Sequence, residues 1–121
     1  MILKLADFYI KYDRANFVLE VKAADYITDS DKIDFEIIIS DDDIQKERII
    51  EGMDVPVMRV ENNLLYERIA EKTPLLNAFA MHAATIDVGG IGVAFSARSG
   101  TGKTTHAKLW QKYLPNAKII N

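Results

Sequence analysis

The chain contains no cysteine, which excludes disulfides and thiolate metal sites and fits a reducing compartment. It lacks an excess of positive charge. Fifteen Lys and Arg stand against eighteen Asp and Glu, a net charge of −3, so there is no general electrostatic footprint for nucleic acid. No window approaches the ~20 apolar residues that a membrane-spanning helix requires, so no membrane partner is expected. The N-terminal stretch MILKLADFYIKYD is interrupted by Lys4, Asp7, Lys11 and Asp13 and has no small-residue cleavage site, unlike a secretory signal. A cytoplasmic location is the resulting expectation. No internal repeat or low-complexity segment is visible. What is present is the balance of a folded protein, 49% hydrophobic and 27% charged over 121 residues, enough to bury a core.

The pattern along the chain predicts a small β-rich lead-in over 1–62, followed by the start of a second region over 63–121, the two packed as one unit. ILKLADFYI and NFVLEVKAA have the β-rich alternation of strands, with Asp13 to Asn16 as the turn between them. YITDSDK is polar and predicts a loop. KIDFEIIIS predicts a strand with Ile33, Phe35, Ile37 and Ile39 on one face. Ser40 then stands as N-cap to a helix over DDDIQKERII. Asp41, Asp42 and Asp43 lie at the positive end of its dipole, and capping explains every acid there without a metal. VPVMRVENN, broken by Pro56, predicts a weak strand or connector, LLYERIAEK a helix, and Thr73-Pro74 the start of a short one.

FAMHAATIDV and IGVAFS flank Gly89-Gly90, which predicts an antiparallel hairpin, because glycine supplies positive φ at both turn positions. Its second strand runs into ARSGTGKTT. THAKLWQKYL then predicts a helix carrying Ala107, Trp110 and Leu114, stopped by Pro115, and AKIIN predicts a last strand. The order strand, glycine-rich loop, helix is the context in which G-x-x-x-x-G-K-[ST] denotes phosphate binding. The motif is met with one departure, Ala97 in place of the first glycine. Gly100 and Gly102 permit the tight turn, so that N–H groups of Ser99, Gly100, Thr101 and Gly102 converge with the helix N-terminus. Lys103 adds a charge for the β- and γ-phosphates, Thr104 a hydroxyl for phosphate-bound Mg²⁺, and Thr105 a donor on the α-phosphate side. Arg98 reads as solvated at the loop tip, and His106, early in the helix, as a surface residue. A strand reached through a Gly-Gly hairpin is not the helix-connected parallel strand of the common dinucleotide-binding sheet. The fold class expected is α/β with a mixed, largely antiparallel sheet.

SGTGKTT, preceded by a hairpin and followed by a helix, resembles the phosphate loop of phosphoenolpyruvate carboxykinases. MHAATIDVGGIGVAFSARSGTGKTTHAKLW, residues 81–110, is similar to the core of HPr kinase/phosphorylase and its uncharacterised bacterial relatives. The segment from ADFYI to SDDDIQKER is similar to the lead-in of those relatives. The resemblance implies the fold of the carboxykinase and HPr kinase C-terminal domain in truncated form, Mg-ATP as cofactor, and phosphoryl transfer to an acceptor that the sequence does not name. It also implies a role near the phosphates for His82, on the strand before the hairpin turn. The acids such relatives carry on the strand after the loop helix would fall at AKIIN, which ends at Asn121.

Three functions follow as expectations: a kinase-like phosphotransferase using Lys103 and His82, a non-catalytic nucleotide- or phosphate-binding regulatory module, or a degenerate domain kept for association. If AKIIN pairs next to the loop strand, an exposed edge is left that favours homo-oligomers.

Overall fold

The computed structural model describes residues 1–14 and 23–120. The chain is mixed α/β, with two mostly antiparallel sheets and, among the described residues, three α-helices. It divides into two compact units, residues 1–79 and 80–121. The boundary expected at 62/63 falls inside a continuous helix, so the break comes instead after that helix has finished packing on the first unit.

In the first unit, β1 (Ile2–Leu5) and β2 (Phe8–Tyr12) form a hairpin with Leu5 opposite Phe8. ILKLADFYI is therefore two strands and not one. Its reversal lies at Ala6-Asp7, where Ala6 takes φ +52, an uncommon conformation for a residue with a Cβ. The fold-back sets Leu3 opposite Ile10, and both are buried. Residues 16–22 of the predicted strand 16–24, and half of the turn before it, lie outside the described residues, while Ala23 is buried and Ala24 opens a 3-10 turn instead of ending a strand. A 3-10 turn (Ala24–Tyr26) leads to β3 (Ile27–Thr28), antiparallel to β1, so YITDSDK contributes a short strand as well as a loop. β4 (Phe35–Ile37) lies parallel to β2, and the sheet order is β3-β1-β2-β4. Phe35, Ile37 and Ile39 join the core, but Ile33 precedes the strand and is exposed.

α1 (Asp41–Glu51) begins as the sequence predicts. Ser40 Oγ accepts from the Asp43 amide at 3.1 Å, while the Asp43 carboxylate accepts from the Ser40 amide at 2.8 Å, a reciprocal capping box. α2 (Val57–Lys72) replaces the connector expected over VPVMRVENN. Pro56 does not break a strand but precedes the first helical residue, and its carbonyl accepts from the amides of Arg59 and Val60. The helix is held by tertiary burial, which overrides the weak helix propensity of its valines and asparagines. Val60, Leu64, Leu65 and Ile69 form a buried stripe against Leu3, Ile10, Tyr12, Ile37 and Ile44. Burying a side chain such as Leu65 completely contributes about 1.5–3 kcal/mol. Thr73–Leu76 continues as the short 3-10 turn that Thr73-Pro74 announces.

In the second unit, β5 (Ala84–Val88) and β6 (Ile91–Phe95) form the expected hairpin, with Gly89 at φ +62 and Gly90 at φ +91. α3 (Lys103–Tyr113) follows the glycine-rich loop, and β7 (Ala117–Ile119) completes the sheet. β7 pairs antiparallel with β5 and not with the loop strand, giving the order β6-β5-β7. The reason is packing. Ala107 is small enough to let α3 sit close over Ala84 and Ile86, and the chain returns beyond β5. β6 and β7 consequently run in the same direction on either side of β5, and both point their C-terminal ends toward the loop.

Candidate functional site

The loop over 96–102 is tied together by its own backbone. The carbonyl of Arg98 accepts from the Thr101 hydroxyl at 2.8 Å, from the Thr101 amide at 3.3 Å and from Lys103 Nζ at 3.3 Å. Lys103 Nζ also donates to the Ala97 carbonyl at 2.9 Å, so its ammonium bridges both arms of the loop. Gly100 and Gly102 take φ +82 and +90. A Cβ built on either meets nothing within 4 Å, so these positions need glycine for the backbone angle and not for lack of space.

The start of α3 contrasts with that of α1. α1 is neutralised by Ser40 and three aspartates, whereas α3 has Gly102 at its N-cap, no side-chain cap and no acid in its first turn. The first intrahelical bond runs from the His106 amide to the Gly102 carbonyl at 2.9 Å. The amides of Lys103, Thr104 and Thr105 therefore lie ahead of the helix ladder, where the positive end of the dipole is strongest. Among the described residues Lys103 has no carboxylate in ion-pair range. Uncapped amides and an uncompensated ammonium together leave a positive, donor-rich surface.

Beside this surface is an open hollow of ≈ 510 Å³. Thr101, Gly102, Lys103 and Thr105 give it a polar wall, and Phe95, His106 and Leu109 an apolar one. The imidazole of His106 stands perpendicular to the Phe95 ring, with centroids 4.6 Å apart. Its Nε2 accepts from the indole Nε1–H of Trp110 at 3.1 Å, which puts the imidazole proton on Nδ1. Two aromatic neighbours thus fix the ring's position. The expectation that His106 lies at the surface holds, but it also lines the hollow, which the sequence reading did not foresee.

His82 precedes β5 and is not within it. Its carbonyl accepts from Ser96 Oγ at 3.4 Å, which brings its backbone to the loop's entry. Its imidazole is exposed, has no hydrogen-bond partner among the described residues and does not line the hollow. Ser99, Gly100 and Thr104 lie on the exposed face of the loop and first turn. Arg98 is exposed there too, as expected. No cluster of three or more acids or histidines that could hold a metal occurs among the described residues, the Asp41–Asp43 run included. Thr104 offers a single hydroxyl at the start of α3, which suits a cation brought in on phosphate oxygens better than a metal held by protein ligands. No helix among the described residues is long and apolar enough to cross a membrane.

No family model matches the chain, and neither a curated protein nor a solved structure shows significant similarity to it.

Proposed function

We propose that the second unit grips the polyphosphate of Mg-ATP through the loop 99–105, as the nucleotide-binding part of a kinase-like phosphotransferase related to HPr kinase and the carboxykinases. One observation carries this reading: the Lys103 ammonium, which bonds the Ala97 and Arg98 carbonyls and no carboxylate among the described residues, stands at the same glycine-containing loop as the uncapped amides of Lys103, Thr104 and Thr105. Such a site stabilises negative charge by fixed dipoles and a nearby cation, which is most of what phosphoryl transfer asks of a protein. Gly100 and Gly102 would turn the amides inward, Lys103 would move from the loop carbonyls onto the β- and γ-phosphates, and Thr104 would ligate the Mg²⁺ they carry. Thr105 would serve the α-phosphate. A cytoplasmic setting goes with a nucleoside triphosphate ligand.

A second reading is a binding module without transfer. It is favoured by the hollow's lining, which among the described residues contains no carboxylate to act as base. Titration with Mg-ATP by calorimetry tests the shared claim: saturable binding that Lys103→Ala abolishes supports it, and no heat at millimolar nucleotide refutes it. Release of ADP in the presence of candidate acceptors then separates the two readings.

A further inference from the structure

We infer that Phe95, His106 and Leu109 form the seat of the nucleotide's base, so that the hollow selects a nucleoside triphosphate over a bare polyphosphate; the inference rests on the phosphate-loop reading above. The direction of the ligand follows from the order of residues along α3. With Lys103 on the distal phosphates and Thr105 on the α-phosphate, as proposed above, the next turn, His106 to Leu109, lines the part of the hollow that the ribose and base would meet. That turn changes the wall from polar to apolar within one hollow.

The imidazole of His106 is suited to receive a flat heterocycle. A planar base gains most from a ring already fixed in place, because no rotamer freedom is lost on binding. Here the ring is held by the Trp110 indole at 3.1 Å and by its perpendicular contact with Phe95. Leu109, one turn of helix beyond His106, is 45% exposed and offers apolar surface that a bare phosphate chain would leave in water. A wall that served phosphate alone would gain nothing from the Leu109 side chain.

The test compares ATP with inorganic tripolyphosphate on the complete chain, at equal Mg²⁺ and ionic strength. ATP is expected to bind about tenfold more tightly, the scale of one base-on-ring stack. His106→Ala and Leu109→Ala should each close most of that gap without changing tripolyphosphate affinity, while His106→Phe, which keeps a flat ring but loses the bond from Trp110, should retain part of it. Equal affinity of the two anions for the unmodified chain would overturn the base seat and leave the phosphate grip standing. Loss of tripolyphosphate binding on His106→Ala would also overturn it, since the imidazole would then be a phosphate ligand. Binding of neither anion would remove the phosphate reading and this inference together.

Discussion

The ammonium of Lys103 donates to the Ala97 carbonyl at 2.9 Å, reaching from the first turn of α3 back across the loop to its opposite arm. The bond keeps the cation over the hollow's polar wall, yet it is exposed and easily exchanged for a better acceptor. Lys103→Ala should therefore cost little in folding, within about 1 kcal/mol. Its effect on ligand should be complete. At a hundredfold excess over Kd, Mg-ATP is expected to stabilise the unmodified chain by about 2.7 kcal/mol, and a melting curve of the variant should show no such rise. A rise that survives the substitution would place the nucleotide elsewhere.

Gly102 is the hinge between loop and helix. At φ +90 it adopts a conformation that costs a residue with a Cβ about 1–2 kcal/mol. Gly102→Ala meets no atom within 4 Å, so the loss is purely one of backbone angle. Urea denaturation should show that loss, and nucleotide affinity should fall by more than the loss of stability explains, because a changed angle at Gly102 would reorient the uncapped amides at the start of α3.

Thr104 is expected to matter only through the metal. Thr104→Ala should weaken Mg-ATP binding by about tenfold, while ATP affinity measured in EDTA stays within about twofold, since a single hydroxyl on Mg²⁺ is one of about six oxygens around the ion. Equal weakening with and without Mg²⁺ would make Thr104 a phosphate donor instead.

How much of this was legible depended on whether the signal was local. Ser40 and the three aspartates after it announced α1 because a cap is written in adjacent residues. Gly89-Gly90 announced the hairpin for the same reason. The first turn of α2 was hidden. Val57, Met58, Arg59 and Val60 have the composition of a strand, Asn62 and Asn63 are poor helix formers, and the stripe through Val60, Leu64 and Ile69 acquires meaning only against Ile10 and Tyr12. The partner of β7 was not legible, because nothing in AKIIN encodes that Ala107 lets α3 carry the chain past β5. The turn of the loop, with positive φ at Gly100 and Gly102, was readable from spacing. The wall of Phe95, His106 and Leu109 was not, because the His106 ring owes its position to side chains on two different elements. The four-residue spacing of His106 and Trp110 on one helix face was the available clue.

Buried polar chemistry elsewhere in the chain gives a test of the first unit alone. The Tyr12 side chain is fully buried, and its hydroxyl donates to the Glu61 carboxylate, which Arg14 approaches at 3.3 Å while also bonding Asp41 at 2.7 Å. This joins β2 to α2, and Arg14 joins the same group to α1. Tyr12→Phe leaves a buried carboxylate one donor short and should cost about 1.5–3 kcal/mol near neutral pH, the range for a hydrogen bond to a charged group. The pH dependence has a definite sign. Burial first, and then the bond to Glu61, raises the Tyr12 phenol above its ordinary range. The folded chain thus keeps a proton that the unfolded chain releases near pH ~10. The stabilisation is whole below that pH and is lost as pH rises toward the folded-state value. Urea midpoints taken at neutral pH and again above about pH 10 should show the gap between the unmodified chain and Tyr12→Phe narrowing, because only the former has this proton to lose. The remaining tyrosines titrate alike in both proteins and cancel. A gap that stays constant into strong alkali would mean that the Tyr12 phenol titrates alike in the folded and unfolded chain and does not hold its proton against Glu61.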